Sequence, residues 1–261
     1  MDHDPTPTLT LEQLADVLDL VRKADSVELK LSVPDHDRRS TVAALEMDPL
    51  QSEMRQVVFF DTPDLRLYEH GVVVLARRVA RKGDDSVIKL RPVDPDLLTG
   101  DLRRNPEFIV EVDEMPGGYV CSGSFKAKLG NDDVRRVLLG GRPIRKLFTK
   151  RQRAFFRANA PDDIELDDLS VLGPINVLKL KFSPSDYNRR LVAELWLYPD
   201  GSQILELSTK CLPAEAFEVA EETKAFLSRR GVDLGAHQQT KTRTALEFFA
   251  AEAREHAAAP S

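Results

Sequence analysis

The 261-residue chain is poor in cysteine, with only Cys121 and Cys211, far apart. That spacing excludes a disulfide framework and a thiolate zinc site, which need clustered cysteines, and the two thiols are expected to be buried and reduced. No apolar run approaches the roughly 18 residues that a membrane helix requires. The opening MDHDPTPTLT has neither the basic nor the apolar part of a secretory leader, so the expected location is cytoplasmic. Basic charge is not in surplus either: 37 Lys and Arg stand against 43 Asp and Glu, a net charge of −6. That removes the global attraction behind non-specific nucleic-acid binding, although a local basic cavity stays compatible with it. The five histidines, His3, His36, His70, His237 and His256, contain no i,i+4 pair of the zinc-protease kind. There is no Walker A loop and no GxSxG elbow, and CSGS at 121–124 reads as a turn.

With 42% hydrophobic residues the chain can build a substantial core. Residues 1–9 read as disordered. Thr10 and Gln13 then form a capping box ahead of Leu11, Leu14, Ala15, Val17, Leu18 and Val21 at helical spacing, which predicts a helix over 10–23. Short strand-type segments follow at 26–33, 54–60, 71–81, 85–91 and 107–113, then a helix over 131–139. Further strands are predicted at 149–157, 163–168, 175–182, 190–198 and 203–209, and two helices close the chain between 213 and 257. No stretch reads as a flexible linker, so one domain spanning 10–259 is expected, its core over about 26–210. Nine or so short strands with little helix between them imply an α+β, mainly β architecture, an antiparallel barrel or sandwich with flanking helices.

The strand faces carry the chemistry. Residues two or four apart on a strand share a face, and cations repeat at those spacings: Arg77 with Arg81, Lys89 with Arg91, Arg151 with Arg153, Lys179 with Lys181. Carboxylates do the same at Glu111 with Asp113 and Glu165 with Asp167, joined by single acids at Glu28, Glu194 and Glu206. In SVELKLSV the alternation puts Ser26, Glu28, Lys30 and Ser32 together, opposite Val27, Leu29, Leu31 and Val33. A barrel with a charged lumen accommodates both faces. Such a lumen suits polyphosphate, because Lys and Arg bind phosphate oxygens while carboxylates hold Mg²⁺ or Mn²⁺.

These elements resemble the CYTH, or triphosphate tunnel metalloenzyme, superfamily. SVELK at 26–30 is similar to its ExExK strand, VVFFDTPDLRLYEHGVVVLARR at 57–78 to its hairpin, and IKLR at 88–91 to the next strand. LFTKRQR at 147–153, ELDD at 165–168, LELSTK at 205–210 and TKTR at 240–243 follow in order. The resemblance implies a closed antiparallel β-barrel of about eight strands with flanking helices, a triphosphate tunnel, and metal-assisted attack on a phosphoanhydride of a small triphosphate or inorganic polyphosphate. It implies catalytic roles for Glu28 and Lys30, and phosphate contacts at Lys30, Arg77, Arg81, Lys89, Arg91, Arg151 or Arg153, Lys241 and Arg243, with Lys179 and Lys181 added by alternation. Metal ligands are expected among Glu28, Glu111, Asp113, Asp167, Glu194 and Glu206, with Mg²⁺ or Mn²⁺ as cofactor. Ser26 and Ser208 stand where the family pattern has carboxylates, which motivates a second reading, a weakly active or non-catalytic binder of polyphosphate or nucleotide. An adenylyl cyclase reading is subordinate, since nothing in the chain reads an adenine base. No membrane or nucleic-acid partner is expected.

Overall fold

The computed structural model describes residues 10–116, 118–235 and 240–258. The disorder expected for residues 1–9 lies outside the described residues. Nine strands form one closed barrel: β1 (Ser26–Val33), β2 (Glu53–Asp61), β3 (Val72–Val79), β4 (Asp85–Leu90), β5 (Phe108–Met115), β6 (Gly118–Lys128), β7 (Ser170–Phe182), β8 (Leu191–Leu197) and β9 (Gln203–Cys211), ordered β1-β5-β6-β4-β3-β2-β7-β8-β9 around the wall. Eight of the pairings are antiparallel, and the barrel is completed by a parallel pairing of β1 with β5. That closure joins segments some 80 residues apart, a non-local contact that strand alternation does not reveal.

The helices are α1 (Leu11–Arg22), α2 (Arg38–Ala44), α3 (Arg66–Glu69), α4 (Gly100–Arg103), α5 (Asp133–Leu138), α6 (Lys150–Asn159), α7 (Ala216–Arg229) and α8 (Lys241–Ala258). The Thr10–Gln13 capping box starts α1 as expected. Between β2 and β3 the buried Asp61 carboxylate accepts backbone N–H bonds from Thr62, Leu67 and Tyr68 at 2.7–3.0 Å, so the DTPD turn and α3 are organised by a single side chain. α7 stops at Gly231, whose φ of +74° suits glycine. None of the described helices is long and apolar enough to cross a membrane.

Three apolar clusters hold the barrel. One packs the outer faces of β1, β4, β5 and β6 under α5, α6 and α7, through Val27, Val112, Ile88, Phe125, Phe156 and Val219. Close packing here depends on Gly123, since a Cβ at that position would stand 2.6 Å from Cζ of Phe108. A second joins Leu31, Leu180, Leu191 and Leu207 to Phe226 and Leu227 of α7. The third lies inside the barrel: Phe59, Ile175, Val177, Trp196 and Ile204 meet Ala245, Leu246 and Phe249 of α8. One end of the tunnel is thereby filled by the apolar face of α8.

Two expected strands are absent, and one strand was not expected. Residues 149–157 form α6, because Thr149 and Gln152 make a capping box and Gln152, Phe155 and Phe156 fall on one buried helical face. Gln152 then ties α6 to the barrel by donating to the carbonyls of Ser86 and Phe125 at 3.2 and 3.1 Å. Residues 163–168 form turns that bury Ile164 and Leu166. CSGS at 121–124 lies in the middle of β6, where its small side chains gave no strand signal.

Candidate active site in the barrel lumen

Cross-strand register assigns one face of every strand to the lumen. Starting from Glu28, the pairings link Asp113 on β5 and Lys210 on β9. Ser208 then pairs with Lys30 and Val192, Glu206 with Ser32 and Glu194, and Glu194 with Lys179. On the other side Glu111 pairs with Ser122, Ser124 with Lys89, Arg77 with Asp85, and Asp85 with Lys128. Among the described residues, seven carboxylates face inward: Glu28, Glu53, Asp85, Glu111, Asp113, Glu194 and Glu206. Eleven cations share the space: Lys30, Arg55, Arg77, Lys89, Arg91, Lys126, Lys128, Lys179, Lys181, Lys210 and, reaching in from α8, Lys241. The chain as a whole is acidic, yet its lumen holds four more cations than anions, so the field inside the barrel is opposite in sign to the net charge.

The densest group is centred on β1 and β5. Ligand oxygens of Glu28, Glu111 and Asp113 lie within 4.8 Å of one another. Lys30 Nζ stands 3.2 Å from Glu28 and 2.8 Å from Asp113; Arg91 pairs with Asp113, and Lys210 with Glu111. Ser26 Oγ donates to Glu111 at 3.3 Å, so the hydroxyl in the place of a family carboxylate still borders the group. Burial would raise the Asp113 carboxyl, but Lys30, Lys89 and Arg91 overcome it and hold that group far below the carboxylate range. Burial also works against the charged forms of Glu28 and Lys30, and their mutual attraction wins, lowering the first and raising the second. Glu111 goes the other way: burial and the nearby Glu28 charge raise it despite Lys210. The three acids are thus not equivalent, and Glu111 is the readiest to hold a proton.

The donor set fits a hard divalent cation in its chemistry: oxygens of three carboxylates converge within 4.8 Å of one another. Lys89 is the complementary feature. It forms no ion pair or hydrogen bond among the described residues, and burial, offset only in part by the Asp113 charge, pushes its ammonium down to about 8. Solvent reaches it through the lumen. An unpaired cation beside a carboxylate group lacks a partner that a phosphate would supply.

Two further charge groups line the wall. Glu194 and Glu206 are locked by lysines, Glu194 by Lys179 at 2.7 Å and by Lys241, and Glu206 by Lys241 at 2.6 Å. Towards the mouth, Arg77 and Lys126 share Asp85 at 2.7 and 3.2 Å and Arg55 pairs with Glu53, while Lys181 and Lys128 have no ion pair among the described residues.

The expected site residues therefore divide. Glu28, Lys30, Arg77, Lys89, Arg91, Glu111, Asp113, Lys179, Lys181, Glu194 and Glu206 stand on the lumen face, and Lys241 enters it from α8. Arg81 does not: it sits exposed in the turn after β3 with φ +62°. Arg151 and Arg153 lie on α6 outside the barrel, where Arg153 donates to the Phe148 carbonyl at 2.9 Å. Asp167 is on an outer loop and pairs with Arg145, and Arg243 points out along α8 to Glu247 at 2.7 Å. Glu194 and Glu206 face inward, but their oxygens are engaged by lysines and lie apart from the Glu28 group. Sequence reasoning missed Glu53, Arg55, Asp85, Lys126, Lys128 and Lys210. Lys210 continues the Glu206–Ser208 alternation one residue beyond the expected strand end, and that parity was its signal.

No protein-family model matches the sequence. No curated protein matches it. Solved structures do. A Hippeastrum protein, described as a candidate adenylyl cyclase that reveals a dominant triphosphatase activity, superposes with a TM-score of 0.63 at 14% identity, covering 85% of this chain and 95% of that one. A candidate adenylate cyclase from Bacillus halodurans gives a TM-score of 0.57 at 11% identity, covering 84% of this chain and 98% of that one. This chain has their fold.

Proposed function

We propose that the protein belongs to the CYTH superfamily and hydrolyses a phosphoanhydride bond of a triphosphate-bearing substrate inside the barrel. The observation that carries this reading is the unpaired Lys89 beside the converging Glu28, Glu111 and Asp113, in a lumen with surplus positive charge. Lys30, Lys89 and Arg91 would hold phosphoryl oxygens, and Arg77, Lys126 and Lys181 would receive the rest of the chain nearer the mouth. The three carboxylates would hold Mg²⁺ or Mn²⁺, which supplies polarisation of a phosphoryl oxygen and charge neutralisation. A water oxygen bonds to the terminal phosphorus, and the bond to the bridging oxygen breaks with its electron pair leaving on the departing phosphate. The water proton passes to solvent in the lumen. No covalent intermediate is needed, since phosphoryl transfer relies chiefly on positioning and electrostatics.

The test is phosphate release from tripolyphosphate, thiamine triphosphate and nucleoside triphosphates with Mg²⁺ or Mn²⁺. Turnover of at least one substrate, lost in Lys30→Ala, is expected; turnover no greater than that of Lys30→Ala for every substrate rejects hydrolysis. A second reading, a binder without turnover, is favoured by one observation: each acid of the central group already has a cationic partner in Lys30, Arg91 or Lys210. Binding that survives a chelator, without phosphate release, would select it.

A further inference from the structure

Glu194 on β8 and Glu206 on β9 are direct cross-strand partners on the lumen face. Like charges so placed repel, and burial makes the repulsion worse, unless a cation stands between them. Here that cation is covalently part of the chain. Lys241, the first residue of α8, sends its ammonium between the two carboxylates, contacting Glu194 Oε2 and lying 2.6 Å from Glu206 Oε1. It also lies 5.3 Å from the centre of the Trp196 ring, and Lys179 takes the other Glu194 oxygen at 2.7 Å.

The ammonium is held in place from outside the charge cluster as well. The Tyr198 hydroxyl donates to the Lys241 carbonyl at 2.9 Å. One turn on, Ala245, Leu246 and Phe249 fill the barrel end. The backbone of Lys241 is thereby tethered beside the carboxylates for as long as α8 is seated in the barrel. A pair of facing carboxylates is also what a hard divalent ion binds.

We infer that Lys241 is a built-in cation occupying the position of a second divalent ion between Glu194 and Glu206, so that the lumen takes one metal ion and its charge balance depends on α8 being seated. The count of one rests on reading Glu28, Glu111 and Asp113 as metal-holding, and the experiment separates the two claims.

Full-length wild type and Lys241→Met are dialysed to equilibrium against Mn²⁺ and bound metal is counted per chain, with circular dichroism confirming the fold. One Mn²⁺ is expected for wild type, two for Lys241→Met, and one again for Lys241→Met combined with Glu206→Gln. Two ions in wild type, or a Lys241→Met count equal to wild type, overturns the inference. A change from none in wild type to one in Lys241→Met supports Lys241 as the built-in cation and rejects the Glu28 group as the metal site. Should Lys241→Met fail to fold, Lys241→Gln is measured against the same counts.

Discussion

Lys89→Met is expected to make the protein more stable and a poorer catalyst. The ammonium sits at about 8 instead of its ordinary 10.5. Because the folded-state value is depressed, the unfolded chain binds more protons between those two values, so this group's contribution to stability rises with pH across that window and is at its most unfavourable below about 8. A displacement of that size costs on the order of 3 kcal/mol at neutral pH. Methionine keeps the stem and removes the charge, so thermal unfolding should move up by an amount corresponding to about 1–3 kcal/mol. Losing a charge-assisted contact to a phosphate works against function, by about 1.5–3 kcal/mol, and kcat/KM for the preferred triphosphate should fall roughly 10- to 150-fold. The pH profile carries the same signature. Wild-type affinity for tripolyphosphate should weaken, relative to Lys89→Met, as pH rises through 8; the ligand's own ionisation is common to both proteins and cancels. Differential scanning calorimetry together with phosphate-release kinetics reads both effects, and a variant that is less stable yet fully active would show that Lys89 has a partner and no role.

Asp113→Asn should have the opposite effect on stability. Asp113 is fully buried and compensates Lys30 and Arg91 directly and Lys89 through space. Asparagine keeps the shape but leaves those cations facing one another in a low-dielectric space, and breaking a buried pair from one side costs about 3–5 kcal/mol. That is a large part of the 5–15 kcal/mol typical of a folded domain. The sign with pH follows from the depressed carboxyl. Its contribution is fully present above the unfolded value of roughly 3.9 and is lost as pH falls through the folded value. Wild type should therefore lose stability steeply below about pH 4, and Asp113→Asn, already lacking the contribution, should lose less over the same range. Urea titrations at pH 7 and pH 3.5 give both numbers; equal midpoints for the two proteins at pH 7 would contradict the assigned role.

Lys89 and Asp113 both belong to alternations that could be read in the chain. Glu28 and Lys30, and Glu111 and Asp113, lie at spacing two on real strands, Arg91 follows Lys89 one residue past the end of β4, and a two-residue period places each pair on one face whatever the neighbouring strands do. Alternation misled where another local rule was stronger. KRQRAFFR alternates cations too, but the Thr149–Gln152 capping box and the Gln152, Phe155, Phe156 face make it a helix, which carries Arg151 and Arg153 out of the lumen. ELDD repeats acids at spacing two in turns, and Asp167 is spent on Arg145. The Gly- and Ser-rich start of β6 hid a strand, and with it Lys126 and Lys128 at the mouth. The engagement of Glu194 and Glu206 by Lys241 depends on α8 folding back into the barrel, a contact made 35 and 47 residues along the chain that no local pattern encodes.

The central claim is that the lumen binds a polyphosphate through its surplus cations. Calorimetric titration of tripolyphosphate into wild type and into the Lys30→Ala, Arg91→Ala double variant tests it most directly. Saturable binding of one tripolyphosphate per wild-type chain, absent in the double variant, is the expected result. No saturable binding to wild type, or the same affinity in a double variant that remains folded, would contradict it.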